Sequence, residues 1–173
     1  MPVPPRFAAA VALLNVKPGD TVLEVGGGTG ISAALICSRL DGGRLDGGRL
    51  IALDRSANAT TRTVDRNRDH VADGRLEAVT AALRDLDGHD DTVDRALALN
   101  VNAFWTGPAD AELEVLRRVL RPGGFVVLAW TRNGPQPGSR IVEAARAGLA
   151  RHRFTDIEAI ADPHLIGVTA RNG

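Results

Sequence analysis

The sequence predicts an α/β protein in which a mostly parallel sheet carries helices on both faces and closes with an antiparallel hairpin. Three observations carry that prediction. Apolar, β-branched runs alternate with helical stretches along the whole chain, the pattern of parallel strands joined by crossover helices. One run, FVVLAW (125–130), lacks polar alternation, as a strand covered on both faces should. The last two runs, 154–160 and 165–170, are separated only by Ala161, Asp162, Pro163 and His164. That link is too short for a crossover helix, so the pair must be antiparallel.

Taken in order, residues 6–14 read as a short helix stopped by Pro18 and Gly19. TVLEV (21–25) is a strand that enters a glycine cluster, and 31–40 has helical character after it. RLIALD (49–54) is the second buried strand, with Ser56 as N-cap of a polar helix reaching about Val71. RLEAV (75–79) and VDRALALN (93–100) are the third and fourth strands. Residues 109–120 place Leu113, Leu116 and Leu120 on one helix face before Arg121-Pro122-Gly123-Gly124 ends it. FVVLAW follows, then a Gly- and Pro-punctuated loop (132–138), a helix to about Arg151 and the hairpin. The tandem DGGRL repeat at 41–50 falls in a connection at the N-terminal edge of the sheet, away from where open α/β sheets bind ligands. It reads as a tolerated loop duplication.

The chain has 173 residues, suited to a single domain spanning 1–173. Twenty-one Lys and Arg balance 21 Asp and Glu, which argues against a surface built to grip nucleic acid. Cys37 is the only cysteine, so no intrachain disulfide or cysteine metal site is available, and on its apolar helix face it reads as a small buried hydrophobe. His70, His89 and His152 lack metal-ligand spacing, so no metal is expected. No apolar run approaches a membrane span, and MPVPPRFAAA lacks the plan of a secretory signal. The expected compartment is the cytoplasm. The arginines of TTRTVDRNRDH alternate with acids and read as a solvated helix face.

The chemistry is concentrated in Val22-Leu23-Glu24-Val25-Gly26-Gly27-Gly28-Thr29-Gly30. A strand running straight into a helix must turn sharply, and glycines permit positive φ and close approach of a ligand to bare backbone. The next helix begins with unpaired N–H groups and the positive end of its dipole. The dinucleotide pattern G-x-G-x-x-G fails, because Ile31 occupies its last position. What fits is E-x-G-x-G-x-G. A carboxylate at Glu24 would repel a pyrophosphate but suits a ligand presenting an ammonium group.

These residues resemble the class I S-adenosylmethionine-dependent methyltransferases, a Rossmann-like family. Asp54 stands at the end of the second strand where the family places its ribose-binding acid, and a carboxylate suits two hydroxyl donors. LEVLRRVLRPGGFVVLAW is similar to the family's helix, Pro-Gly-Gly turn and fifth strand. The terminal hairpin is a further match, and the likeness runs from about Arg6 to Ala170. It implies a three-layer sandwich with a seven-stranded sheet of order 3-2-1-4-5-7-6 and S-adenosylmethionine as the cofactor.

On that resemblance, Gly26, Gly27, Gly28 and Gly30 cradle the methionine and ribose parts and Glu24 faces the amino group. Asp54 holds the ribose and Arg55 packs near the adenine. The family's acid for the adenine amine is missing from Val79-Thr80-Ala81-Ala82, leaving Thr80 or backbone groups such as those of Ala81 in its place. Asn100 is assigned to the methionine part, and Asn102, Phe104 and Trp105 to the acceptor side, where ring faces suit a sulfonium or an apolar substrate. The alternative for Trp105 is core or rim packing, and one of the two asparagines is expected to be a turn former. The hairpin turn holding His164 lies on the cofactor edge, although a lone histidine is usually structural.

The sequence therefore implies methyl transfer to an unidentified acceptor, with a small molecule preferred on charge. The absence of an Asn/Asp-Pro-Pro-aromatic motif counts against nucleobase or glutamine acceptors. No catalytic dyad is assigned, because alignment can supply most of the acceleration. Acceptor contacts are expected from the first helix, 102–108, 132–138 or the second subunit of a homodimer. The rival reading is a non-catalytic module that binds the same cofactor.

Overall fold

A computed structural model describes residues 2–41, 47–132 and 138–173. Strands β1 (Thr21–Val25), β2 (Arg49–Asp54), β3 (Leu76–Thr80), β4 (Val93–Leu99), β5 (Leu120–Thr131), β6 (Phe154–Ala159) and β7 (Leu165–Asn172) form one sheet. Its order is β3-β2-β1-β4-β5-β7-β6. The first five strands pair in parallel, while β7 runs antiparallel to both β5 and β6. Fold class, strand order and the terminal hairpin are those expected of a Rossmann-like sandwich.

Two apolar layers flank the sheet. On one side α1 (Pro5–Leu14) and α2 (Ile31–Cys37) pack Val11, Leu14, Ile36 and Cys37 against Val22, Leu50, Leu97 and Val127. On the other, α6 (Asp110–Val119) and α7 (Gly138–Arg151) pack Leu113, Leu116, Ile141 and Leu149 against Leu23, Ala96, Leu128 and Val168. Alternate residues of β1, β4 and β5 thus enter opposite layers, and each strand needs apolar side chains on both faces. Residues 126–130 are buried throughout.

The structure revises three boundaries. The polar helix after β2 divides into α3 (Ala57–Arg66) and α4 (Arg68–Ala72) at Asn67. Buried Asn67 donates its amide to the carbonyls of Gly30 and Thr63, tying the break to the glycine turn. The fifth strand begins at Leu120, which pairs with Val93 before Phe125 pairs with Arg95. Residues 121–124 therefore bulge out opposite Asp94. Buried Asn172 holds that bulge by donating to the carbonyls of Leu120 and Arg121. A single-turn helix, α5 (Ala103–Thr106), follows β4 in a stretch to which the sequence assigned no element.

Gly167 explains how β7 fits beside β5. Its φ is +149°, and a Cβ there would lie 2.0 Å from the Leu128 carbonyl oxygen. At the opposite edge, Asp41 and Arg49 flank the duplicated loop and bond the carbonyls of Pro18 and Asp20. Both ends of the connection lie where β1 starts, as expected of a loop away from the ligand edge. Its repeat residues 42–46 lie outside the described residues.

Candidate cofactor and acceptor site

The chain leaves β1 and β4 in opposite lateral directions, so a crevice opens where their C-terminal ends diverge. A groove of about 610 Å³ occupies this position. Val25, Leu53, Leu99, Val101 and Phe104 give it apolar walls, and Asp54, Arg55, Arg84 and Glu112 bring charge to it.

The glycine turn meets this groove at Gly26, while Gly27, Gly28 and Gly30 are not among its lining residues. Gly26, Gly28 and Gly30 have φ of +75°, +58° and +72°, which side chains with a Cβ adopt at a cost. Close neighbours reinforce the requirement. A Cβ on Gly26 would lie 2.9 Å from Val101, and one on Gly30 would lie 2.8 Å from the Thr63 Cα. The turn hangs from β2 through Gly26 N–H and Gly27 N–H, which both donate to the Leu53 carbonyl. Asp54 accepts the Gly28 N–H at 3.0 Å on one carboxylate oxygen and the Ser56 N–H at 2.9 Å on the other. Each oxygen keeps lone-pair capacity for a further donor, and Asp54 lines the groove. One carboxylate thereby shapes the turn and faces the ligand space.

Glu24 lies behind the turn rather than in the groove wall, only 2% exposed. A Cβ on Gly27 would lie 3.1 Å from its Oε2, which has no hydrogen-bond partner among the described residues. Burial pushes its carboxyl from 4.5 up to about 7, the nearby Asp54 charge adds to the rise, and a hydrogen bond from Ser32 opposes it. An unpartnered carboxylate oxygen under bare glycine backbone is a site of negative potential facing the turn.

Of the remaining sequence-derived candidates, Arg55, Ala81, Asn100, Asn102 and Phe104 line the groove with Gly26 and Asp54. Asn100 has φ +60° and accepts the Thr131 N–H at 2.9 Å, while its backbone N–H donates to Ala129. It extends the β4–β5 pairing by side-chain bonds, and its ligand-facing part is correspondingly restricted. Asn102 starts α5: its carbonyl accepts from Trp105 and Thr106, and its side chain accepts the Trp105 indole N–H at 3.2 Å. Phe104 is buried as groove floor. Thr80 and Trp105 are not among the groove-lining residues. The Thr80 hydroxyl pairs with that of Thr60 at 2.6 Å, and half-buried Trp105 packs on the core.

Sequence reasoning missed several supports. Arg66 donates from Nε to the Thr29 carbonyl at 2.7 Å, so one arginine of the expected solvated face holds the glycine turn. Arg84 and Glu112 reach the groove from the 3₁₀ turn Leu83–Asp85 and from α6. Neither stands in a recognisable pattern; only the fold brings them there. Of the expected acceptor loop 132–138, residues 133–137 lie outside the described residues. Among the described residues no cluster of His, Cys, Asp and Glu could hold a metal ion. No helix there is long and apolar enough to cross a membrane.

A family profile described as a methyltransferase domain matches residues 22–124, which include β1 to the start of β5 and every groove residue above. No curated protein matches the chain. Among solved structures, a SAM-dependent methyltransferase from Aquifex aeolicus superposes with a TM-score of 0.76 at 18% identity, covering 96% of this chain and 89% of that one. Geranyl diphosphate C-methyltransferase from Streptomyces coelicolor A3(2) gives 0.74 at 13% identity, covering 98% and 80%. The [4+2]-cyclase SpnF gives 0.71 at 20% identity, covering 90% and 59%. At such identities the likeness is one of fold, and fold alone leaves the reaction open.

Proposed function

The chain belongs to the methyltransferase-domain family and is an S-adenosylmethionine-dependent methyltransferase, and from that premise we propose that its acceptor is a small molecule and that the β1–β4 groove binds donor and acceptor together. The observation that carries this is the Asp54 clamp. A carboxylate at the end of β2 is bonded to Gly28 of the turn and still lines a groove of about 610 Å³.

The residues fit the cofactor's chemistry. Bare backbone at Gly26, Gly27 and Gly28 admits close approach, Asp54 offers acceptors to a ribose diol, and Glu24 once ionised supplies negative potential toward a cationic amine. When bound, S-adenosylmethionine supplies a methyl group activated by its sulfonium charge. Asp54 orients the ribose and holds the turn. Apolar Leu53, Leu83, Ala81 and Ala82, with Arg55 beside them, would hold the adenine end. Phe104, Val101 and Asn102 would border the acceptor end. Alignment of acceptor and methyl group is the main contribution, and a proton acceptor is required only for substrates that must ionise first. Zero formal charge and the groove size support a small acceptor over nucleic acid.

Isothermal titration of wild type and Asp54→Asn with S-adenosylmethionine, S-adenosylhomocysteine and NAD tests this. Both sulfur ligands should bind, NAD should not, and the substitution should weaken binding by about tenfold or more, because it removes charge-assisted bonds. Preference for NAD, or equal binding by the variant, would overturn the assignment of Asp54 and the groove.

A further inference from the structure

A second hollow adjoins the groove and has a different chemistry. It measures about 160 Å³ and is lined by Pro5, Arg6, Thr131, Arg132, Pro163 and His164. These come from the start of α1, the end of β5 and the β6–β7 turn, all meeting at the C-terminal edge of the parallel strands. The wall between the two spaces is one hydrogen-bonded pair. Asn100 lines the groove, Thr131 lines the hollow, and their side chains and backbone bond at 2.9–3.3 Å.

The hollow collects positive groups without opposing acids. Among the described residues no ion pair involves Arg6, Arg132 or His164. Arg132 donates from Nε and Nη2 to the Asp162 carbonyl oxygen, which fixes its plane and leaves Nη1 without a hydrogen bond among the described residues. The nearest carboxylate in sequence, Asp162, is occupied in accepting the N–H groups of His164 and Leu165 at 2.7 and 3.1 Å. Arg6 rests over the Phe7 ring, 4.6 Å from its centroid. The N-terminal end of α1 points its dipole the same way, with no acidic residue in its first turn.

A larger basic hollow, at the far ends of α6 and α7, differs in this respect. Its Arg118 is paired with Asp90, its Arg151 and His152 with Asp110, and Arg117 bonds Asn172. Four of its five basic side chains are thus tied into the fold, Arg153 being the exception among the described residues. Among the described residues Arg6 and Arg132 have no carboxylate partner of this kind.

Resting on the methyltransferase reading of the groove, we propose that this hollow anchors a phosphate group carried by the methyl acceptor, so that the rest of the acceptor passes the Asn100–Thr131 pair into the groove. Two guanidinium charges match a phosphate dianion better than a carboxylate, and a planar guanidinium offers it paired donors.

The test is titration of inorganic phosphate, with acetate as the monoanionic control, into protein saturated with S-adenosylhomocysteine. Binding is followed by ³¹P line broadening for phosphate and by calorimetry for both anions, on wild type, Arg6→Gln and His164→Gln. The expected result is saturable phosphate binding that exceeds acetate binding and weakens about tenfold in Arg6→Gln. His164→Gln should weaken it less, and S-adenosylhomocysteine affinity should be unchanged in both, which certifies that the variants fold. Phosphate binding that is absent, or equal across the three proteins, overturns the anion site while leaving the cofactor groove intact. Phosphate binding without any S-adenosylhomocysteine binding overturns the acceptor role through failure of the groove assignment.

Discussion

Replacing Glu24 by Gln should stabilise the protein at alkaline pH and hardly at all in acid. The carboxyl is 2% exposed, and burial raises it from 4.5 to about 7. A raised carboxyl means that the folded state holds a proton which the unfolded chain releases at lower pH. Wild-type stability is therefore intact below about pH 4.5 and is lost as pH rises through about 7. At 1.36 kcal/mol per pH unit, linkage over that gap lowers stability by about 1 kcal/mol at pH 5 and about 3 kcal/mol at pH 8. Gln fills the same space without titrating, so its advantage should widen by about 2 to 3 kcal/mol between those two conditions. For a chain of this size that corresponds to about 5–10 °C in Tm. Urea denaturation of the unliganded proteins, monitored through Trp105 and Trp130, measures it. A constant offset between variant and wild type at both pH values would refute the reasoning, because it would mean that Glu24 is not a destabilising buried charge. The same variant should bind S-adenosylmethionine more weakly at pH 8, having lost the negative potential under the turn, so that stability and affinity move in opposite directions.

Two further outcomes follow from the packing. Cys37 is fully buried, and burial with the nearby Glu24 charge raises its thiol to about 12. A thiol-specific reagent at neutral pH should leave it unmodified until denaturant opens the fold, and rapid labelling of native protein would contradict its placement. Gly167→Ala would force a Cβ to within 2.0 Å of the Leu128 carbonyl oxygen. It should destabilise by about 3 kcal/mol or more through strain and lost β5–β7 pairing, read as a fall in urea midpoint. An unchanged midpoint would show that β7 can shift its register.

The alternation of strands and helices, the hairpin at the end and the glycine turn were legible because each is encoded locally. A run such as FVVLAW can be buried on both faces only in the middle of a sheet, and a four-residue link can join only antiparallel neighbours. Asp54 was singled out through the family resemblance, which places an acid at the end of the second strand, and it does line the groove. Phe104 and Trp105, adjacent in sequence, show where this stops: one forms the groove floor and the other folds onto its own helix start. Arg66, read as solvated, braces Thr29 across 37 residues, and Asn172 closes a bulge more than 50 residues earlier. The same holds for Arg6, Arg132 and His164, which no spacing links and which only the packing of α1 against the sheet edge brings around one hollow. Sequence by itself determined which segments form most strands and helices and the glycine turn, because backbone conformation and burial are set by near neighbours. The tertiary structure alone decided which side chains meet around the groove and its neighbouring hollow, because those contacts depend on distant segments arriving at one edge of the sheet.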